Sequence, residues 1–151
     1  MIALIISTKG RYGLRAMFEL AKGYGDTMSI KHIAKLQGLS EQYLEQLFAK
    51  LKGAGLVEST RGPSGGYRLS DGPENISVGR VLTVLEGDLM PAECVGDEPH
   101  CEHMSMCTTH IIWQRIYDGF NDVINSITLK DMVDDYNRIV SVEPKAKDIR
   151  C

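Results

Sequence analysis

The sequence predicts a mainly α-helical fold with one small β-hairpin. Three patterns carry that reading. Apolar residues recur at helical spacing along most of the chain, serine or threonine stands ahead of each periodic run, and two short strand-like segments flank the turn "RGPSGG".

Ser7 or Thr8 caps a first helix with Leu14, Met17, Phe18 and Ala21 on one face, closed by Gly23 and Gly25. Ser29 caps a short second helix whose inward positions are Ile30, Ile33 and Ala34, and Gly38 stops it. Ser40 opens a third, striped by Leu44, Leu47, Phe48 and Leu51. The tight turn "QGLS" between the second and third makes a helix-turn-helix. Leu56–Thr60 and Tyr67–Ser70 then read as strands joined by a Gly/Pro/Ser turn that carries Arg61. A hairpin directly after a helix-turn-helix is a winged helix.

Ser77 caps a fourth helix with Val78, Val81, Leu82 and Leu85 inward, closed by Gly87. Thr108 or Thr109 opens a long helix in which Trp113, Ile116, Phe120, Val123 and Ile127 form a heptad-like seam. Such a seam needs a partner, and a second copy of the chain is the simplest; the alternative is packing on its own domain. Thr128 and Asp131 form a near capping box for a last helix with Met132, Val133, Tyr136 and Val140 apolar. The expected organisation is a winged helix-turn-helix DNA-binding domain over 1–87 and a ligand-bearing loop over 88–110. A long dimerisation helix and a C-terminal helix follow over 111–140, then a flexible tail over 141–151.

The composition, 43% hydrophobic and 25% charged over 151 residues, is that of an ordinary globular domain. Met1–Ile6 is apolar but short, with no basic residue ahead of it, so neither a signal peptide nor a membrane span is expected and the protein reads as cytoplasmic. The net charge of −3 divides unevenly, with +5 over residues 1–70 and −8 over residues 71–151. A basic front half favours a polyanion partner at that end. No Ser/His/Asp set, phosphate loop or paired carboxylates stand in a working spacing, so no enzyme is expected.

Opposite the apolar stripe of the third helix lie Gln42, Glu45, Gln46 and Ala49. Glutamine bonds adenine with two contacts, and glutamate accepts from the cytosine amino group. A carboxylate near phosphates is otherwise repelled, so Glu45 makes sense mainly as a base reader. An exposed, merely soluble helix face has the same composition; the wing favours double-stranded DNA. Arg61 stands on a turn whose glycines allow close backbone approach, where it suits a minor groove. Lys9, Arg11, Arg15, Lys50 and Lys52 are the expected phosphate contacts.

The stretch "CVGDEPHCEHMSMCTTH" places Cys94, Cys101, Cys107 and His110 in the order C-x6-C-x5-C-x2-H. A disulfide framework is disfavoured by a reducing compartment and an odd number of thiols in the loop. Three cysteines and a histidine are a zinc set, although zinc sites favour tighter C-x2–4-C knuckles. An iron–sulfur cluster tolerates wider spacing because it is a larger body. Spacing alone leaves both open. Cys107 and His110 can share one face of a helix start, while His100, His103, Asp97, Glu98 and Glu102 are rival fourth ligands. Cys151 and His32 read as bystanders. A small iron–sulfur electron carrier would gain nothing from a winged helix.

"STKGRYGLRAMFELA", "LSEQYLEQLFAKLKGAGLVESTRGPSGGYRLS", "ISVGRVLTVLEG" and the cysteine loop together resemble the Rrf-two family of bacterial regulators, most closely its iron–sulfur cluster regulator (IscR-like) branch, from about Ser7 to about Ile139. The resemblance implies a dimeric winged helix with crossed long helices that acts as a DNA-binding transcriptional regulator on promoter or operator DNA. It implies a 2Fe–2S cluster on Cys94, Cys101, Cys107 and His110, sensing iron–sulfur status or redox state. It also implies a base-reading helix at Ser40, Gln42, Tyr43, Glu45 and Gln46, with a wing at Arg61, Gly62, Pro63, Ser64, Gly65 and Gly66. Related branches hold a 4Fe–4S cluster or none. The alternative of the same fold is a zinc- or thiol-redox-sensing repressor.

Overall fold

The computed structural model describes residues 6–143. The apolar start before Ile6, Cys151 and most of the expected flexible tail lie outside the described residues. Six helices and one hairpin follow in the order α1 (Thr8–Lys22), α2 (Ile30–Gln37), α3 (Glu41–Gly53), β1 (Val57–Thr60), β2 (Gly66–Leu69), α4 (Val78–Glu86), α5 (Thr108–Ser126) and α6 (Leu129–Val142).

Serine caps set four of these helices. The Ser7, Ser29, Ser40 and Ser77 hydroxyls accept from the backbone amides of Lys9, His32, Tyr43 and Arg80. Each satisfies a donor that the helix start leaves open, a contribution of about 1 kcal/mol. Gly38 ends α2 in the left-handed region at φ 65°, a conformation that suits glycine and turns the chain into α3. Met17, Leu20, Ile33, Leu44, Phe48, Leu51 and Leu56 bury the apolar faces of α1, α2 and α3 in one core.

β1 and β2 pair antiparallel from Val57 opposite Leu69 to Thr60 opposite Gly66. The hairpin does not stand alone. Met28, in the loop between α1 and α2, exchanges two 2.8 Å backbone hydrogen bonds with Tyr67. Thr27 Oγ1 adds a bond to the Ser64 carbonyl at 2.8 Å. Gly66 is needed at this junction: its φ is +152°, and a Cβ there would lie 2.5 Å from the Met28 carbonyl oxygen.

α4 lies close along α1, where Gly10 and Gly13 leave room for Glu86 and Leu85. Its other end meets α5, with a Cβ on Gly79 falling 2.2 Å from Asn125 Oδ1. A second, smaller core gathers Val78, Leu82 and Ile124, with Phe120 and Leu14 against it.

Ile124 is the one buried residue of α5. Trp113, Ile116 and Val123 are 37%, 42% and 58% exposed, so most of the predicted seam faces away from its own domain. Ile127 departs from expectation. α5 ends at Ser126, and Ile127 is extended with its carbonyl accepting from the Val78 amide at 2.7 Å. The chain must turn there to enter α6, and the Leu129 amide bonds the Ile76 carbonyl at 2.9 Å to fix the turn. α5 opens at Thr108, as expected, with Cys107 in the cap position ahead of it. The boundary expected at residue 111 therefore falls inside a continuous helix.

The capping box of α6 is complete, with Thr128 Oγ1 accepting from Asp131 N at 3.1 Å and Asp131 Oδ2 accepting from Thr128 N at 2.8 Å. α6 folds back on the winged helix: Leu129 is fully buried in the main core, and Tyr136 meets the Phe18 ring edge-on at 5.5 Å. Among the described residues no helix is long and apolar enough to cross a membrane.

Candidate nucleic-acid interface and metal centre

Helical geometry divides α3 into two faces. Leu44, Leu47, Phe48 and Leu51 point to the core, and Gln42, Glu45, Gln46 and Ala49 are exposed on the other side. Ser40 is exposed at the helix start, with its oxygen engaged as the cap acceptor at 3.1 Å. Tyr43 stands apart from the residues grouped with it in the sequence. It packs against the main core, edge-on to Tyr12 at 6.2 Å, and its hydroxyl is buried without a hydrogen-bond partner. One position before Leu44 and four before Leu47, it borders the apolar stripe, which draws its ring inward.

The turn between the strands exposes Arg61, Gly62, Pro63 and Ser64, while Gly65 and Gly66 are half-buried where the wing meets the α1–α2 loop. Gly62 has φ +108°, which suits glycine at the tip. Lys9 and Arg11 are exposed in the first turn of α1, and Lys50 is exposed on α3. Arg15 and Lys52 are held by protein partners. Arg15 Nε donates to Gln37 Oε1 at 2.7 Å and its Nη2 to the Gln37 carbonyl at 3.3 Å. Lys52 Nζ donates to Ser59 Oγ at 2.6 Å.

Sequence reasoning missed the partner that orients Gln37. Glu19 is only 5% exposed, and its Oε1 accepts from Gln37 Nε2 at 2.6 Å while Oε2 pairs with Lys22 at 2.8 Å. The signal was a glutamate flanked by Met17, Phe18, Leu20 and Ala21 on a helix with a clear apolar face. A carboxylate there must be paired to be buried.

In the loop, Cys94 and Cys107 are half-buried, Cys101 is exposed, and all are free thiols. Cys107 has the most developed environment. The Thr109 hydroxyl, 3.1 Å from its sulfur, and then the backbone amides at the start of α5 hold its thiol below the ordinary range. One turn further on, the Nδ1 atom of His110 is buried with no hydrogen-bond partner. A buried imidazole nitrogen left open, one turn from a thiol made easier to ionise, is a donor pair that a metal or cluster would satisfy. The donor chemistry of the set therefore fits a soft metal centre. The chain conformation gathers only part of it: among the described residues no three His, Cys, Asp or Glu side chains are close enough to hold a metal ion. Cys107 and His110 share the α5 start, and Cys94 and Cys101 are not brought to them. Val95, 1% exposed, anchors the loop beside Cys94, whereas His100 and His103 are exposed.

The loop is also tied to α5 by Tyr117, whose hydroxyl donates to Asp88 Oδ1 at 2.8 Å. Burial, then the hydrogen bond and charge of Asp88, push the Tyr117 phenol above its ordinary value.

A winged helix with an exposed polar face on α3, followed by a long helix that opens on a thiol, is an architecture found in transcriptional regulators. Residues 6–135 match the Rrf2 family, described as iron-dependent transcriptional regulators, and the chain belongs to that family. It is 46% identical over 128 residues to the HTH-type transcriptional regulator CymR of Bacillus subtilis, covering 84% of this chain and 88% of that one. The structure of CymR, the global cysteine regulator of B. subtilis, superposes with a TM-score of 0.75 over 87% of this chain and 98% of that chain. IscR of T. potens superposes with a TM-score of 0.72 at 43% identity, over 87% of this chain and 88% of its own. The HTH-type transcriptional regulator IscR of Erwinia tasmaniensis is 36% identical over 136 residues, 89% of this chain and 82% of that one. The family and the winged-helix fold expected from the sequence are borne out.

Proposed function

We propose that this Rrf2-family regulator is a homodimer that binds double-stranded promoter or operator DNA under the control of a 2Fe–2S cluster on Cys94, Cys101, Cys107 and His110. The observation that carries the cluster is the open, buried Nδ1 of His110 one turn from the stabilised Cys107 thiol. The likeness to two IscR proteins supports it. Such a cluster would supply an iron- and oxidant-sensitive group at the head of α5. The chain's own residues do the rest. Gln42, Glu45 and Gln46 read base edges, Arg61 enters the minor groove, and Lys9 and Arg11 meet phosphates. The uncovered Trp113, Ile116 and Val123 bury against a second copy. Two reader helices must then stand about 34–36 Å apart, and the two-fold symmetry of the dimer makes the operator pseudo-palindromic. Because the ligand loop runs directly into α5, a change of loop conformation reaches the dimer seam and alters that separation. The protein acts in the cytoplasm, where the thiols stay reduced, and catalyses nothing.

A specific observation favours a second reading. Cys94 and Cys101 are not gathered with the other two donors, and CymR is among the relatives. The same thiols would then serve a zinc- or thiol-redox-sensing repressor, or with a different fourth ligand a 4Fe–4S cluster. Protein purified without oxygen decides between them. Visible thiolate-to-iron bands with about two iron and two sulfide per chain, abolished in Cys101→Ala, are expected, whereas about four of each per chain would mark the 4Fe–4S form. A colourless protein with about one tightly bound zinc per chain moves the assignment to the second reading.

A further inference from the structure

The geometry points to Glu86 as a positioning residue for DNA binding, one that holds the basic first turn of α1 in place and ties it to the start of the cysteine loop. Glu86 is the last residue of α4. Its Oε1 atom accepts three hydrogen bonds, from Ser7 N at 2.8 Å, Ser7 Oγ at 2.6 Å and Gly10 N at 2.9 Å. These donors belong to the first turn of α1, where backbone amides lack helical partners and the helix dipole favours an anion. The approach is built into the backbone. A Cβ on Gly10 would lie 2.5 Å from Glu86 Oε1, and one on Gly13 would lie 2.0 Å from Leu85 Cδ1.

Lys9 and Arg11 are the exposed neighbours of Gly10 in that turn, so the carboxylate fixes the backbone from which both project. Only two residues beyond Glu86, Asp88 accepts from Tyr117 of α5 at 2.8 Å. At the opposite end of α4, the Val78 amide bonds the Ile127 carbonyl at 2.7 Å. α4 is thus a strut bonded at its start to the residue that follows α5, linked to α5 through Asp88 just past its end, and held to the basic turn by Glu86.

The inference rests on the DNA-binding reading above, and the sign of the effect separates positioning from charge. A carboxylate beside a phosphate-binding turn repels DNA, so if charge alone mattered its removal would tighten binding. Positioning predicts the reverse, because Lys9 and Arg11 lose their fixed separation.

The test uses the whole chain and a duplex that the wild type selects from a random-sequence library. Failure of the wild type to select any duplex overturns the DNA-binding reading together with the inference. With a selected duplex in hand, Glu86→Ala is expected to bind about tenfold more weakly, with a salt slope shallower by about 2, the loss of two phosphate contacts. Glu86→Gln, which keeps an acceptor, is expected to recover part of both. A loss of folded protein would lower the active fraction and leave the slope unchanged. Equal or tighter binding by Glu86→Ala overturns the inference while DNA binding stands. Should Glu86→Ala not fold, the wild type serves: the Gly10 amide is expected to exchange at least about tenfold more slowly on the duplex, as tightened closure of this contact requires. Unchanged exchange at Gly10 overturns the inference.

Discussion

The Tyr117 hydroxyl donates to Asp88 Oδ1 across 2.8 Å, joining the middle of α5 to the first residue of the cysteine loop. The same carboxylate lies under Gly96, where a Cβ would fall 2.6 Å from Asp88 Oδ2 and the backbone has φ +102°. One aspartate therefore gathers both the base and the middle of a loop that has almost no regular structure of its own.

Tyr117→Phe keeps the ring and removes the bond. It is expected to lower stability by about 1 kcal/mol and to speed proteolysis within residues 88–106 more than elsewhere. The wild-type bond also sets a pH dependence. Because the phenol is pushed above its ordinary value of 10.0, its contribution is present below that pH and is lost as pH rises through the raised value. Alkaline unfolding curves of wild type and Tyr117→Phe should converge at high pH; parallel curves would remove Tyr117 from the account.

Gly66→Ala places a Cβ against backbone atoms of Met28 and Ser29 at a left-handed φ, and neither backbone can retreat without opening the bridge to Tyr67. A loss of about 2 kcal/mol or more in urea denaturation is expected, since strain and a lost bridge add. Gly62→Ala meets nothing within 4 Å and carries only its φ penalty, so it should cost less. Equal losses at the two positions would show that docking of the wing contributes nothing.

The capping box of α6 predicts a sensitivity to acid. The amide and hydroxyl of Thr128 hold the Asp131 carboxyl below the ordinary value of 3.8. Its contribution is therefore full above that pH and is lost as pH falls through the lowered value. Asp131→Asn should be less stable than wild type at neutral pH and match it at the lowest pH where both fold. Thr128→Ala, read by thermal unfolding, is expected to lose about 1 kcal/mol.

At the DNA interface the two kinds of contact should separate. Arg61→Ala is expected to weaken binding to all duplexes and reduce the salt slope by about 1. Glu45→Ala should instead change which base is preferred at one position in each half-site. Gel-shift titrations on a set of single-base variants of a selected duplex distinguish a shifted preference from a uniform loss, which would mark Glu45 as structural.

Much of this was legible in the chain because it is local. The serine caps, the αL glycine after α2 and the apolar stripes each depend on residues within one or two turns, and apart from Ile127 at the end of the α5 stripe they appear where spacing puts them. Cys107 was harder to anticipate as a cap, since two threonines follow it and a thiol is a poor capping group. Tyr43 lies on the border between stripe and surface, and helix spacing alone does not decide which way a border side chain turns. The Glu19–Gln37 and Glu86–Ser7 contacts join residues far apart in sequence, so no periodicity announces them. The donor set of the cysteine loop was visible as composition, but the path of a loop without repeating structure has no pattern from which to read it.

Gln42, Glu45 and Gln46 project from a helix whose place is fixed entirely by its other face, by Ser40 at its start and by the core beneath it. Altering these three side chains leaves the scaffold untouched. On the proposed base-reading role of these residues, new target genes come within reach of a few substitutions on one helix while the apparatus of the cysteine loop is kept, and the two properties are free to evolve at different rates.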